Sequence, residues 1–260
     1  MFPNRFDPLA KRYDDHAAVA AEAGGRLLER LDGLRFEPAS ILDLGCATGR
    51  QSRCLRERFG SARILAMDAS ARMLRQARHR RGWWRPRFEL VRGDARALPL
   101  ASASIDLVFA NLVLNWTEEL GVVLAGLRRV LRPDGLLLVS LFGPDTLGSC
   151  GLRKSLTVRH LPDVQALGSA LIAAGFSEPV LDTDWLTTTH SSAENLAAEL
   201  YGSGLLAETD RIASPPGPQA VSWEIVSASA WAPPPGQPFR GSHGEEVSIP
   251  VERIGIRRRS

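Results

Sequence analysis

Residues 41–49 of the chain are Ile-Leu-Asp-Leu-Gly-Cys-Ala-Thr-Gly, and no other segment constrains the architecture as strongly. An apolar run stops at Gly45, Gly49 follows four residues later, and an amphipathic segment begins at once. This pattern predicts a buried strand that turns sharply into a helix, with the backbone open to a ligand where side chains would block it. In doubly wound α/β proteins, nucleotide-like ligands bind at such a turn.

The residues around this turn narrow the kind of ligand. A dinucleotide site needs Gly-x-Gly-x-x-Gly, but Ala47 stands where the second glycine would be, and no nucleoside triphosphate motif is present. Acidic residues instead accompany three successive strand-like runs: Asp43, Asp68 and Asp94. A carboxylate about 20 residues past the turn is placed to accept the hydroxyls of a ribose. The alternative is a βαβ turn that binds nothing, and the recurrence of the acids disfavours it.

Strand-like and helix-like segments alternate along most of the chain. Strands are predicted over 40–44, 62–67, 88–91, 105–110, 136–141, 180–189 and 221–229, with a short edge strand over 248–256. Helices are predicted over 8–33, 49–59, 70–79 with Ser70 as N-cap, 118–131, 163–174, and from a capping box at Ser191–Glu194 to about 206. This alternation predicts a mainly parallel sheet with helices on both faces.

Composition sets outer limits on the function. The 260 residues are 44% hydrophobic, enough for one α/β domain with a sizeable core, and the net charge of +3 says little about partners. Three cysteines (Cys46, Cys54 and Cys150) show no metal-ligand spacing, so we expect reduced thiols and no metal site. No apolar run approaches the ~18 residues of a membrane span, and we expect a soluble, cytoplasmic protein.

Several further stretches point to one family. They are residues 68–77, 94–100 (Asp-Ala-Arg-Ala-Leu-Pro-Leu), 111–116 (Asn-Leu-Val-Leu-Asn-Trp), 131–137 and 140–147 (Ser-Leu-Phe-Gly-Pro-Asp-Thr-Leu). With residues 41–49 they resemble the class I S-adenosylmethionine-dependent methyltransferases, and among these the malonyl-acyl-carrier-protein O-methyltransferases of biotin synthesis. The resemblance is good over 6–147, moderate over 168–185 and weak after 200. The chain departs from it at Ala47, at 164–166 and at 227–229.

The resemblance implies a fold and a methyl donor. The fold is a doubly wound, seven-stranded, mostly parallel Rossmann-like sheet with strand seven antiparallel, in a single domain over 1–260 with lid elements within 144–165 and 190–220. The cofactor is S-adenosylmethionine, with S-adenosylhomocysteine as product. Its methionyl part meets Asp43 and Gly45, its ribose Asp68, its adenine Asp94 and Ala95, and its methyl group lies beside Asn111. Cys46, Gly49, Ala69 and Met73 complete the expected cofactor-binding set.

Two residues are candidates for catalysis, the first implied by the resemblance and the second by the chemistry of a carboxylate acceptor. Tyr13 would close the pocket from an N-terminal helix that folds over the cofactor, although a packing role is the alternative. A carboxylate acceptor is ionised at neutral pH and needs no general base. It does favour an arginine clamp, for which Arg153, beside Lys154, is the candidate; otherwise Arg153 is a solvated loop cation. Cys46 is expected to pack and not to act as a nucleophile.

A basic segment, Arg75–Arg87, contains Trp83 and Trp84 among its arginines. We expect it to dock an acidic acyl carrier protein or to be a solvated helix end, and we expect no nucleic acid because no RNA-binding module accompanies it. The leading function is O-methylation of a carboxylate such as that of malonyl-acyl-carrier-protein. Alternatives are a methyltransferase for another small acid or hydroxyl, and a non-catalytic accessory or assembly protein that keeps the cofactor fold.

Overall fold

The computed structural model describes residues 3–82, 88–148, 152–207 and 219–234. Its strands are β1 (Ser40–Leu44), β2 (Arg63–Asp68), β3 (Glu89–Arg92), β4 (Ile105–Asn111), β5 (Leu131–Phe142), β6 (Ser177–His190) and β7 (Gln219–Trp231). Its α-helices are α1 (Pro3–Phe6), α2 (Ala18–Glu29), α3 (Arg50–Arg58), α4 (Ala71–Arg81), α5 (Leu120–Val130), α6 (Val164–Ala173) and α7 (Ala193–Gly202). Short 3₁₀ helices within the described ranges include Tyr13–His16, Leu114–Trp116 and Leu152–Ser155.

The seven strands form one sheet in the order β3-β2-β1-β4-β5-β7-β6. Strands β1 to β5 pair in parallel, and β7 is antiparallel to both of its neighbours. The predicted doubly wound, mostly parallel sheet with an antiparallel strand seven is therefore confirmed. The strand order reverses between β1 and β4, and ligands of open α/β sheets bind at such a switch point, beyond the carboxyl ends of the strands.

Two apolar layers cover the sheet. On one face, the side chains of Ile41 and Leu107 pack with α2, α3 and α4. On the other face, Leu42 and Val108 pack with α5 and α6. Successive strand residues thus point to opposite layers, as pleated strands with both faces buried require.

The predicted helix over 8–33 is wrong as one continuous element. The structure divides this region into α1, the 3₁₀ helix Tyr13–His16 and α2, with turns over 7–12. Two carboxylates account for the division. Asp7 accepts a hydrogen bond from the Ser70 hydroxyl, and Asp14 accepts one from the Thr48 hydroxyl at 2.7 Å. These bonds draw residues 7–16 across the carboxyl edge of the sheet, where a straight helix would not follow.

Smaller differences lie near the predicted lid segments. Helix α7 is capped by Ser192, whose hydroxyl accepts from the Asn195 amide, one residue later than the predicted capping box, and it ends at Gly202. The parts of 144–165 and 190–220 that the structure describes contain a 3₁₀ helix, extended chain, the first two residues of α6 and all of α7. The predicted edge strand over 248–256 lies outside the described residues.

Within the four described ranges, no helix has both the length and the apolar character to cross a membrane. The same ranges contain no group of three or more His, Cys, Asp or Glu side chains arranged to hold a metal ion.

Candidate active site

A cavity of about 650 Å³ opens at the carboxyl ends of the central strands. Its walls come from the segments that follow β1 to β4 and from the N-terminal segment that crosses them. The lining residues are Phe6, Tyr13, Leu44, Gly45, Ala47, Met67, Asp68, Ala69, Ser70, Met73, Gly93, Ala95, Asn111, Leu112, Val113 and Trp116. The sequence-predicted residues Gly45, Asp68, Ala69, Met73, Ala95, Asn111 and Tyr13 are all among them.

The turn after β1 keeps backbone close to this cavity. Gly45 has a φ of +71°, and a Cβ there would lie 2.3 Å from Val113 Cγ2, so a side chain does not fit. The amides of Gly45 and Cys46 donate to the Met67 carbonyl at 2.8 and 3.0 Å, which fixes the turn against β2. Ala47 also has a positive φ, of +46°, a conformation that costs an alanine about 1–2 kcal/mol.

Asp68 ends β2 and is held by backbone donors. Its two carboxylate oxygens accept from the amides of Ala47 at 2.9 Å and Ser70 at 2.8 Å. Burial raises the pKa of Asp68 above its ordinary value, while these backbone hydrogen bonds oppose the rise. Because each carboxylate oxygen has two lone pairs, both oxygens can still accept from a ligand in the cavity.

A second cavity, of about 450 Å³, continues from the first toward α2 and α3. The two share Tyr13, Gly45, Ala47 and Asn111 in their walls. Asp43 lines the second cavity and accepts a short hydrogen bond from the Ser52 hydroxyl. Burial raises the pKa of Asp43 to about 7, against the Ser52 hydrogen bond and with a smaller contribution from the negative charge of Asp68.

Asn111 stands between the two cavities with its amide fixed at both ends. Its Nδ2 donates to the Ala20 carbonyl at 2.8 Å, and its Oδ1 accepts from the Ser140 hydroxyl at 2.8 Å. The next residue, Leu112, has a φ of +50° and is held there by its own amide, which donates to the Ser140 carbonyl at 2.9 Å, and by its carbonyl, which accepts from Trp116 Nε1 at 3.2 Å.

Three sequence-predicted residues have other surroundings. The Asp94 carboxylate forms an ion pair with Arg96 at 2.8 Å, which lowers the pKa of Asp94, and its neighbours Gly93 and Ala95 line the first cavity instead. Gly49 precedes α3 and faces Phe88 and Ala77. Cys46 lines the second cavity and is buried, and burial raises the pKa of its thiol; its packing role stays a prediction.

The N-terminal segment covers the first cavity with the aromatic side chains of Phe6 and Tyr13. Phe6 packs edge-on against Trp116 with ring centroids 5.0 Å apart, and Tyr13 packs edge-on against Phe6 at 6.4 Å. Burial, and then the negative charges of Asp68 and Asp14, raise the pKa of Tyr13 to about 12. Its hydroxyl therefore keeps its proton at neutral pH, and it forms no hydrogen bond with another described residue.

Residues that the sequence analysis missed fasten this segment. Arg80 of α4 donates to Asp14 at 2.7 Å and to the Thr48 carbonyl at 3.0 Å. Burial raises the pKa of Asp14, but hydrogen bonds from Arg80 and Thr48 outweigh it, and the pKa lies below its ordinary value. These contacts join residues 32 to 66 positions apart, and no local pattern marks them. Arg80 belongs to the predicted docking segment, yet it faces the site.

The rest of that docking segment is described only in part. Arg75 and Arg78 are exposed on α4, whereas residues 83–87, which include both tryptophans, lie outside the described residues. Arg153 falls in the 3₁₀ helix Leu152–Ser155, but its side chain is likewise outside what the structure describes.

A third cavity, of about 360 Å³, lies on the far side of Tyr13 and was not predicted. It shares Tyr13, Leu112 and Trp116 with the first cavity, so the two adjoin across these side chains. Its other lining residues are His16, Ala17, Val19, Ala20, Phe142, Glu199, Ser203, Leu205 and Trp223. They belong to the N-terminal segment, α2, β5, α7 with the turn after it, and β7. Because these segments are far apart in the sequence, no local sequence pattern could have predicted this cavity.

Comparison with known proteins identifies the family. A family model described as a methyltransferase domain matches residues 42–139. The malonyl-[acyl-carrier protein] O-methyltransferase of Xylella fastidiosa strain M23 is 40% identical to this chain, over 98% of this chain and 95% of that protein. The chain belongs to the malonyl-[acyl-carrier protein] O-methyltransferase family. The family resemblance drawn from the sequence motifs is thereby confirmed.

Solved methyltransferase structures share the fold of this family member. The structure of a Haloferax volcanii putative methyltransferase with its Trm112 activator matches with a TM-score of 0.66 at 17% identity, over 90% of this chain and 98% of that one. A Haemonchus contortus phosphoethanolamine N-methyltransferase 2 in complex with phosphomonomethylethanolamine and S-adenosylhomocysteine matches with a TM-score of 0.62 at 17% identity, over 90% of this chain and 61% of that one. At this identity the likeness concerns the fold alone. Family and fold together make the protein a methyltransferase.

Proposed function

We propose that this methyltransferase transfers a methyl group from S-adenosylmethionine to the carboxylate of malonyl-acyl-carrier-protein, the reaction named for the Xylella fastidiosa relative. The observation that carries the proposal is the meeting of three cavities at one tyrosine, Tyr13. The first two cavities, called the donor cavity below, contain Asp68 and Asp43, two of the three acids expected for the cofactor. The third, called the acceptor cavity below, adjoins the place where the methyl group would lie.

The lining of the donor cavity fits the proposed cofactor in its chemistry. Three apolar side chains (Leu44, Met67 and Met73) line its larger part. The role proposed for Asp68 is to accept hydrogen bonds from ribose hydroxyls, and the role proposed for Asp43, in the second part, is to attract an amino group. When bound, S-adenosylmethionine supplies a methyl group on a positively charged sulfur that an oxygen nucleophile can displace.

The protein's contribution to the chemistry is orientation and the exclusion of water. A carboxylate acceptor is already ionised at neutral pH, so no residue has to remove a proton. Tyr13, Leu112 and Trp116 separate the donor and acceptor cavities and fix the direction from which the acceptor arrives. Holding two reactants in line in this way can lower the barrier by roughly 7–11 kcal/mol. Arg153 and the exposed arginines of α4 are the proposed contacts for the acceptor carboxylate and for an acidic carrier.

The proposal is tested with labelled S-adenosylmethionine and three classes of acceptor: carrier-bound malonate, malonyl thioester without the carrier, and free dicarboxylic acids. We expect label in carrier-bound malonate at a kcat/KM well above that of the other two. Faster labelling of a free acid would instead favour the alternative methyltransferase. Tight cofactor binding in calorimetry without label transfer to any acceptor would favour the accessory protein.

A further inference from the structure

The acceptor cavity contains ionisable side chains that nothing so far assigns. His16 and Glu199 both line it, and both lie beside the aromatic wall of Tyr13 and Trp116. Tyr13 and His16 are the first and last residues of one 3₁₀ helix. Side chains three residues apart on a 3₁₀ helix project from the same side. His16 therefore lies one turn beyond the residue at which the donor and acceptor cavities meet.

Tight packing fixes the position of His16. A Cβ atom added to Gly202 of α7 would lie 2.1 Å from His16 Cδ2, so the imidazole occupies the space that any other residue at 202 would fill. The ring nitrogens form no hydrogen bond with another described residue, and the His16 side chain lines the acceptor cavity. A histidine held in place by its carbon atoms, with its nitrogens left available, suits a residue that binds something brought from outside.

A chain of polar groups extends behind His16. Burial raises the pKa of Glu199, while the positive charges that His190 and His16 can carry oppose the rise. His190 Nδ1 lies 3.6 Å from Glu199 Oε2, and its Nε2 lies 2.9 Å from the Thr188 hydroxyl. Trp223 Nε1 donates to the same hydroxyl at 2.9 Å. Glu199 thus has His190 as its partner within the protein, whereas the ring nitrogens of His16 have no hydrogen-bond partner among the described residues.

We propose that His16 binds the carboxylate of the methyl acceptor at the junction of the donor and acceptor cavities, with Glu199 and His190 as positioning residues behind it. The assignment rests on the proposed methyl transfer to a carboxylate. One oxygen of the acceptor faces the donor cavity past Tyr13, and the other accepts a hydrogen bond from the His16 imidazole.

The test measures binding and discrimination by charge. With S-adenosylhomocysteine in the donor cavity no turnover occurs, so the dissociation constants of carrier-bound malonate and of its neutral methyl ester can be measured by calorimetry. We expect wild-type protein to bind the acid at least tenfold more tightly than the ester. We expect His16→Gln to weaken binding of the acid about tenfold, to change binding of the ester less than twofold, and to leave S-adenosylhomocysteine affinity unchanged.

The outcomes separate this role from simple packing. If His16 only fills space against α7, His16→Gln weakens the acid and the ester equally, and the proposal is overturned. The matched control is Asp15→Asn, an exposed residue of the same 3₁₀ helix, which should leave both constants unchanged. If the His16→Gln variant does not fold, the shorter His16→Asn variant is used instead and is judged by the same ratio of acid binding to ester binding. Wild-type protein that labels no acceptor would overturn the proposed function itself, whereas an active wild type with an unchanged ratio overturns only His16.

Discussion

The donor cavity and the acceptor cavity are built in different ways. The donor cavity rests on the ends of parallel strands, where backbone amides and strand-terminal acids such as Asp43 and Asp68 supply the polar contacts. Segments distant in sequence form the acceptor cavity, among them the N-terminal 3₁₀ helix, α7 and β7. The comparison teaches that the sheet itself shapes the proposed donor cavity, whereas the shape of the proposed acceptor cavity depends on how peripheral elements pack over the sheet.

The largest effect is expected at the donor side, from Asp68→Ala. Removing this carboxylate takes away two charge-assisted acceptors for a ribose and leaves the amides of Ala47 and Ser70 without their partner. At about 1.5–3 kcal/mol for a hydrogen bond to a charged group, affinity for S-adenosylhomocysteine should fall by more than tenfold and up to about 100-fold in calorimetry. Asp94→Ala, whose carboxylate is paired with Arg96, is the comparison and should cost less. Equal losses of S-adenosylhomocysteine affinity in the two variants would contradict the larger role given to Asp68.

The acceptor side is tested by Arg153→Ala. A guanidinium that clamps the acceptor carboxylate contributes a charge-assisted hydrogen bond, so its loss should raise the KM for carrier-bound malonate by about tenfold. Affinity for S-adenosylhomocysteine should stay within twofold of the wild type, because the donor cavity is formed elsewhere. A steady-state KM that does not move would end the clamp hypothesis and leave His16 as the proposed carboxylate contact.

The titration of Asp43 gives the donor cavity a pH dependence. Since the pKa of Asp43 is raised to about 7, the carboxyl is mostly neutral at pH 6 and mostly ionised at pH 8, and only the ionised form attracts the amino group of the ligand. Affinity for S-adenosylhomocysteine should therefore increase with pH, by roughly tenfold between pH 6 and 8. Asp43→Asn should abolish this dependence in a calorimetric titration series. A wild-type affinity that is flat over this range contradicts the assignment.

The titration of Asp43 also changes the folding stability of the ligand-free protein, and this change with pH has the opposite direction. A carboxyl whose pKa is higher in the folded than in the unfolded state binds more protons when folded. The stability that Asp43 contributes is thus present below the unfolded pKa of about 4 and is lost as the pH rises toward 7.

A smaller effect is expected from Arg80→Gln, and it should weaken ligand binding in both cavities. Arg80 fastens Asp14 and Thr48, and the 3₁₀ helix that begins at Tyr13 contributes to both cavities. Loosening it should weaken S-adenosylhomocysteine and carrier-bound malonate by similar factors, of about threefold each, which corresponds to a partly exposed ion pair of less than 1 kcal/mol. Arg53→Gln, which removes an exposed arginine of α3, should change neither. A loss confined to one ligand would mean that the segment does not couple the cavities.

The smallest effect concerns the turn after β1. Ala47 has a positive φ, so Ala47→Gly should relieve backbone strain, although glycine also makes the unfolded chain more flexible. The net gain should be below about 1 kcal/mol, or roughly 2 °C in the midpoint of thermal unfolding for a domain of this size. Donor affinity should not change, since the Ala47 amide that donates to Asp68 is retained. A lower midpoint would show that the alanine methyl group packs favourably.

The sequence predicted the donor side well because its determinants are local. Strand β1, the Gly45 turn, Asp68 after β2 and the Ser70 cap each lie within a few residues of the pattern that predicts them. Asp94 forms an ion pair with Arg96, and the contact with adenine that the family resemblance implied for it stays a prediction. Helix periodicity also failed over 8–33, because Asp7 and Asp14 form hydrogen bonds with partners 34 to 63 positions away.

The acceptor cavity could not be predicted because its determinants are distant from one another in the sequence. His16, Glu199 and Trp223 become neighbours only after α7 and β7 have packed against the N-terminal segment, and none of them lies in a motif. Their positions depend on close approach, such as that of the His16 ring to Gly202, which no periodicity encodes. The domain bounds, the lid segments, the carrier-docking surface and the cytoplasmic location stay predictions.

Leu112 has a consequence for how such an enzyme can change its specificity. Leu112 lines both the donor and the acceptor cavity. Its backbone has a left-handed conformation that hydrogen bonds at both its amide and its carbonyl hold in place. Any bulkier residue there would intrude on the two compartments together. New acceptors should therefore be more readily accommodated by exchanging residues on the opposite wall, on α7 and β7, which do not line the donor cavity.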